Sequence, residues 1–290
     1  MVPAVSNFRA DGALDRASFD FNITAHLDHG ADGVLVAGSS GESALLDDED
    51  RRTLLEWARE LVPRDKWLLA GVGSESTRQT LSRARDAKDI GADAVLVVSP
   101  HYYLKRMNEA ALLAHFRAVA DASPLPVMLY NIPVYAHVVL SPALVHEMAL
   151  HENVIGMKDS AGNLPMLAEY VKAQSETFRV MTGSGATVVP ALDAGVVGAI
   201  LAIALYAGPT VRLMLDAYRA GRRNDATALQ VRLAPIAADI GGALGPAGIK
   251  AAMDMVGLKG GPTRSPLLAV TTEEQAMVRT RLESAGVIPT

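Results

Sequence analysis

A (β/α)8 barrel of the TIM type with a C-terminal helical extension is the fold class that two observations on this 290-residue sequence predict. The first is a set of eight short, near-continuously apolar runs: Pro3 to Ser6, Gly33 to Ala37, Trp67 to Gly71, Ala94 to Val98, Pro126 to Tyr130, Asn153 to Lys158, Phe178 to Met181 and Val197 to Leu201. Strands covered on both faces lose the alternation of half-exposed strands and read in this way. The second is an internal echo, in which Gly30-Ala-Asp-Gly-Val-Leu-Val36 returns as Gly91-Ala-Asp-Ala-Val-Leu-Val97. That interval is about two βα units of roughly 30 residues each. Eight evenly spaced strands favour closure over the alternative of a doubly wound open sheet.

The stretches between the runs carry helix punctuation. Asp47-Asp48-Glu49-Asp50 precedes Leu54-Leu55-Glu56-Trp57, and acidic residues favour a helix start. Ser141-Pro142 opens another helix. After about residue 207 the strand signal stops, and helical patterns follow near 209–221, 224–240, 246–257 and 272–285. The expected division is a barrel domain over 1–207 and a helical domain over 208–290 packed on it, since no low-complexity linker intervenes.

Half of the residues are hydrophobic, enough for a sizeable core. Cysteine is absent, which excludes disulfides, thiol catalysis, cysteine-ligated zinc and iron–sulfur clusters, and suits a cytoplasmic protein. The N-terminus has no basic segment followed by an apolar core, and the run Val196 to Tyr206 is too short to span a bilayer. Membrane insertion is therefore not expected. With a net charge of −5 and no long basic run, nucleic acid is not an expected partner, and Arg222-Arg223 reads as a solvated helix end. The seven histidines form no metal-ligand constellation, and His26 and His29 read as a surface pair on one helix face. Gly38 to Gly41 has the spacing of neither a dinucleotide fingerprint nor a Walker loop. No metal and no cofactor are called for.

Chemistry in such barrels sits at the C-terminal ends of the strands. Strand two ends in Gly38-Ser39-Ser40-Gly41-Glu42, strand four in Ser99-Pro100-His101-Tyr102-Tyr103, strand five in Tyr130-Asn131-Ile132-Pro133 and strand six in Lys158-Asp159-Ser160. Of seven lysines, Lys158 alone ends a strand. A lysine amine buried in an apolar strand mouth can attack a ketone and form a Schiff base. Tyr130 offers a phenol that can relay protons, and Ser39 and Ser40 offer hydroxyls beside glycine amides where a carboxylate could be held. Asp159, adjacent on the same strand, should point to the opposite side from Lys158. Thr182-Gly183-Ser184-Gly185 reads as a glycine-rich turn that shapes the pocket floor, in preference to a phosphate site.

Gly38-Ser39-Ser40-Gly41-Glu42, Tyr130-Asn131-Ile132-Pro133 and Gly156-Met157-Lys158-Asp159-Ser160 together resemble the three signatures of the dihydrodipicolinate synthase/N-acetylneuraminate lyase family, class I pyruvate-dependent aldolases. The resemblance runs through nearly the whole chain, including Gly260 to Leu267. It implies a homotetramer, or a homodimer, in which Lys158 forms a Schiff base with pyruvate and Tyr130 shuttles protons. It also implies that Gly38, Ser39 and Ser40 hold the pyruvate carboxylate, and that Ser39, Ser40 and Tyr103 join Tyr130 in a hydroxyl relay, Tyr103 reaching into a neighbouring subunit's site. One position departs from the synthase pattern: Tyr135 stands where synthases carry an arginine for the carboxylate of aspartate semialdehyde. Gly-Met-Lys-Asp-Ser, Ser99 to Tyr103 and Gly245 to Lys250 look most similar to 4-hydroxy-2-oxoglutarate aldolases, which gives Ser160 a substrate-binding role.

The expected reaction is accordingly cofactor-free cleavage of 4-hydroxy-2-oxoglutarate, or a related 4-hydroxy-2-oxo acid, to pyruvate and an aldehyde such as glyoxylate. The alternatives are a 4-hydroxy-tetrahydrodipicolinate synthase condensing pyruvate with aspartate semialdehyde, a lyase for a sugar-derived 2-oxo acid, and a non-catalytic protein that binds a 2-oxo acid.

Overall fold

In the computed structural model, which describes residues 1–289, eight strands form one parallel sheet in the order β1 to β8. They are β1 (Val2–Pro3), β2 (Gly33–Val36), β3 (Trp67–Gly71), β4 (Ala94–Val98), β5 (Val127–Asn131), β6 (Val154–Asp159), β7 (Arg179–Thr182) and β8 (Gly198–Ala199). Helices alternate with the strands and four more follow β8, so the fold class is a (β/α)8 barrel with C-terminal helices. The chain packs as two compact units, one of residues 68–184 and 190–200, the other of residues 1–67, 185–189 and 201–290.

In the first of these units the apolar runs become buried strands. Every residue of β5 is buried, and β4 is buried over its first four positions. The register of β5 against β6 places Tyr130 beside Lys158 and Asn131 beside Asp159. It slips by one between Val127 and Met128, so that Val127 pairs with Val154 and Met128 with Gly156. Gly156 is required by packing, because a Cβ there would lie 2.2 Å from the Arg179 carbonyl oxygen. The slip sets the phase of the last four β6 residues, and side chains alternate from it. Helices in this unit start where capping residues satisfy the first free N–H groups: Ser141 accepts from the Leu144 N–H at 3.1 Å with Pro142 next, and Asn108 accepts from the Ala111 N–H at 3.0 Å.

The second unit carries β1, β2 and the C-terminal helices. The acidic run forms the expected helix start: Asp47 and Asp50 exchange side-chain and backbone hydrogen bonds as a capping box ahead of helix Asp48–Leu61. The first strand is shorter than the apolar run. The Ala4 N–H still donates to the Leu35 carbonyl, but Ser6 then gives its hydroxyl to the Gly41 carbonyl and Asn7 its amide to the Lys259 carbonyl, so the ladder ends. Past β8, the Leu201 N–H donates to the Met1 carbonyl at 3.2 Å. The late helices run Ala204–Arg219, Arg223–Ile236, Gly245–Met255 and Thr272–Ser284. Pro209 cannot donate, and the first is kinked at Ala207. A π-turn over Ala237–Gly242 follows the second, after Pro235.

His26 departs from the sequence expectation. It is buried with Phe19, Asn22 and Ile23 on one face of helix Arg16–Asp28 and does not lie on the surface. Neither ring nitrogen has a hydrogen-bond partner among the described residues, and burial pushes the ring's pKa down to about 4, with the nearby His29 adding to the effect. Among the described residues no group of three or more His, Cys, Asp and Glu side chains could hold a metal, and no helix is long and apolar enough to cross a membrane.

Candidate active site

The strand ends bring Lys158 and Tyr130 together. The β5–β6 register sets them side by side, and the Lys158 ammonium donates to the Tyr130 hydroxyl at 3.2 Å while lying 4.4 Å from the ring centroid. Lys158 is 4% exposed and Tyr130 is 5% exposed, so the amine and phenol meet out of bulk water. A buried amine in hydrogen-bond contact with a phenol is a geometry that imine chemistry can use.

Asp159 turns to the other side of β6, as strand alternation requires. Its carboxylate accepts from the Asn131 amide at 2.7 Å and from the Ala161 N–H at 3.4 Å. Burial pushes its pKa up, against the opposing effect of those two donors. Ser160 follows, with its N–H bound to the Asn131 carbonyl at 2.9 Å. Gly183 does more than turn the chain. A Cβ on it would fall 2.0 Å from Ser160 Oγ and 2.7 Å from Lys158 Cε, so both side chains rest on the bare glycine backbone. The Gly183 N–H donates to the Asp159 carbonyl at 2.6 Å, which fixes this approach. The clustered glycines of Thr182 to Gly185 were the available signal.

Tyr103 lies elsewhere in the same unit, 69% exposed, and packs edge-on against the exposed Tyr102 with ring centroids 5.1 Å apart. Glu75 anchors that loop by accepting from the N–H groups of His101 and Tyr102, each at 2.8 Å. Tyr135 sits on the short helix Pro133–Ala136 after β5, partly exposed. Burial first, and the neighbouring Tyr130 second, push its phenol's pKa up, which keeps it a neutral donor at neutral pH.

In the other unit, Gly38 is buried and Ser39 and Ser40 are half-buried on the tight turn Ser39–Gly41 that follows β2. The Gly38 carbonyl accepts from the N–H groups of Gly41 and Ser43, which closes the turn. Glu42, the next residue, adopts a left-handed conformation with φ of 56°. Its side chain is completely buried against Lys250, with Nζ 2.5 Å from Glu42 Oε1, an ion pair the sequence did not announce. Lys250 also donates to the Pro262 carbonyl at 2.7 Å, and the Arg264 N–H reaches Glu42 Oε2 at 2.8 Å. Both cations lie against the Phe8 ring, Lys250 Nζ at 4.6 Å and the Arg264 guanidinium at 4.3 Å from its centroid. Burial lowers the Lys250 pKa while Glu42 opposes that shift.

A parallel eight-stranded barrel whose sixth strand delivers a buried lysine to a fifth-strand tyrosine defines a class I aldolase. The model of the dihydrodipicolinate synthetase family matches residues 1–285, and the chain belongs to that family of pyruvate-dependent, carbon–carbon lyase-type enzymes. It is 36% identical over 286 residues to the 4-hydroxy-tetrahydrodipicolinate synthase of Acidothermus cellulolyticus, covering 99% of this chain and 92% of that protein. Dihydrodipicolinate synthase from Bacillus anthracis superposes with a TM-score of 0.93 at 29% identity, over 100% of this chain and 97% of the other. YagE from Escherichia coli, a member of the same family solved in complex with pyruvate, gives 0.93 at 29% identity over 99% and 98%. These relatives bear the synthase or family name, and not the 4-hydroxy-2-oxoglutarate aldolase name that the strand-six motif suggested.

Proposed function

We propose that the chain is a synthase of the 4-hydroxy-tetrahydrodipicolinate type, in which pyruvate bound as an imine on Lys158 is condensed with an aldehyde. The observation that carries this is the buried 3.2 Å contact between Lys158 Nζ and the Tyr130 hydroxyl, in a chain whose relatives are so named. The Lys158 amine adds to the C2 ketone, Tyr130 protonates the departing hydroxyl so that water leaves, and the iminium acidifies the methyl group, whose proton returns to the Tyr130 phenolate to give an enamine. Its carbon attacks the aldehyde, whose oxygen takes a proton from Tyr130, and water or an internal amine releases the lysine. Gly38, Ser39 and Ser40 hold the pyruvate carboxylate, with Ser40 in the proton relay and Ser160 against the substrate. Tyr103 completes the site of a second subunit in a homotetramer or homodimer; its exposure, with that of Tyr102 and Leu104, supports that role. Residues 1–207 serve as the barrel domain and 208–290 as the helical domain of a cytoplasmic enzyme, in keeping with a cysteine-free chain.

Tyr135 favours a second reading, cleavage of a 4-hydroxy-2-oxo acid such as 4-hydroxy-2-oxoglutarate, because a neutral phenol cannot grip a carboxylate as a bidentate guanidinium does. In that direction Tyr130 takes the C4 hydroxyl proton as the C3–C4 bond breaks, and the enamine is protonated and hydrolysed to pyruvate. Intact mass after pyruvate and borohydride, on the parent and on Lys158→Ala, tests what the two readings share: one reduced pyruvate on the parent alone is expected, and no adduct on folded parent overturns both. Comparing kcat/KM for aspartate semialdehyde condensation and 4-hydroxy-2-oxoglutarate cleavage then separates them. If the second reading holds, Tyr135→Arg raises activity toward aspartate semialdehyde by about tenfold or more, the worth of a charged hydrogen bond.

A further inference from the structure

Behind Tyr130 and Lys158, on the opposite side of β5 and β6, lies a buried polar cluster to which no role has been given. Asn131 is 1% exposed, and both ends of its side-chain amide and its main-chain carbonyl are hydrogen-bonded. Its amide nitrogen donates to Asp159 at 2.7 Å and to the Tyr170 hydroxyl at 3.5 Å; its amide oxygen accepts from the Leu140 N–H at 3.1 Å. Its main-chain carbonyl accepts from the Ser160 N–H. The Tyr170 hydroxyl, on helix Leu164–Val171, donates to the Leu140 carbonyl at 2.5 Å. Both backbone polar groups of Leu140 are thus held by two buried side chains.

The chemistry of this cluster is specific. An ionised Asp159 accepts only, and the Leu140 N–H donates only, so the side chain between them must both donate and accept, as a primary amide does. Leu140 closes the segment from Ile132, which carries Tyr135 on its outer side. This segment's end is fixed to β5 through one asparagine and to helix Leu164–Val171 through one phenol.

We propose that Asn131 and Tyr170 form a latch that sets the position of the Ile132–Leu140 segment, and through Tyr135 the choice of aldehyde, leaving imine formation to Lys158 and Tyr130. Tyr170 is a positioning residue in this scheme, touching Leu140 and not the reacting atoms. The inference rests on the reading of Lys158 as the imine-forming lysine.

The test is Tyr170→Phe, which deletes one oxygen from a buried ring, measured beside Tyr135→Phe and the double variant. Two readouts are taken: the rate of pyruvate trapping by borohydride, and the ratio of kcat/KM for aspartate semialdehyde to that for glyoxylate as aldehyde partners. Tyr170→Phe is expected to leave trapping within about twofold and to change the ratio by about fivefold or more, the effect of one hydrogen bond. In the Tyr135→Phe background the same change should leave the ratio unaltered. An unaltered ratio in the single variant, or trapping that falls in step with turnover, overturns the latch. Failure of trapping in the parent overturns the Schiff-base reading itself, and the latch with it.

Discussion

Lys250→Met should destabilise the protein by about 3–5 kcal/mol, the cost of leaving a buried charge without its partner. The size follows from the pair itself. Nζ and Oε1 are 2.5 Å apart, and the two side chains are 2% and 0% exposed. At an effective dielectric constant near 20, unit charges at that separation attract by about 7 kcal/mol. Removing two ions from water costs several kcal/mol each, so the net worth of the pair is small while the loss from breaking it is large. With methionine at position 250, Glu42 keeps the Arg264 N–H at 2.8 Å but loses the ammonium. Glu42→Gln/Lys250→Met removes the stranded charge, keeps the volume and should recover at least about 2 kcal/mol of the loss. Urea unfolding followed by circular dichroism on the parent, both single variants and the double variant measures this coupling. Single-variant losses under about 1 kcal/mol, or a double variant equal to their sum, would refute the buried-pair argument.

Other outcomes follow from the same geometry. The rings of His26 and His115 are held neutral by burial, each with a pKa lowered to about 4, so the unfolded chain binds more protons between pH 6.5 and 4. Stability is therefore intact above about pH 6.5 and is lost as pH falls toward 4, by up to about 3 kcal/mol per ring, and His26→Leu should flatten that acid limb in thermal melts. Gly183→Ala forces Lys158 and Ser160 aside and should slow pyruvate trapping at least tenfold; trapping at the parental rate would show that the 2.7 Å approach to Lys158 Cε is relieved cheaply. Tyr130→Phe should fold normally and lower kcat by about 10²–10⁴, and a kcat within threefold of the parent would remove Tyr130 from the proton path.

What the sequence disclosed and what it concealed divide along physical lines. The eight apolar runs were legible because burial on both faces leaves a continuous pattern, and Lys158 with Tyr130 was legible because both end such runs. The first strand came out shorter, since Ser6 and Asn7 after it turn to side-chain bonds that no local pattern encodes. His26 was misplaced although the signal was present: Phe19, Asn22, Ile23 and His26 recur at helical spacing and form the buried face. Gly183 hid among glycines that a turn would explain equally well. The Glu42–Lys250 pair joins residues 208 positions apart in the chain, and only the fold makes them neighbours.

Two lysines are buried among the described residues, and their surroundings suit one to a structural role and the other to imine chemistry. Lys250 faces a carboxylate at 2.5 Å and a carbonyl at 2.7 Å, so losing its proton would strand Glu42, and that carboxylate opposes the lowering of its pKa by burial. Lys158 instead meets a phenol at 3.2 Å, a group that can give or take a proton without leaving a buried carboxylate unpaired. The carboxylate adjacent in sequence, Asp159, could have formed a competing ion pair. Strand alternation turns it to the opposite side, and the Asn131 amide holds it there at 2.7 Å. The sequence Lys158-Asp159 is therefore compatible with imine chemistry because the β5–β6 register pairs Tyr130 with Lys158 and Asn131 with Asp159. A slip of one residue would set Tyr130 against Asp159 or Met157 and part the Lys158 amine from the Tyr130 phenol.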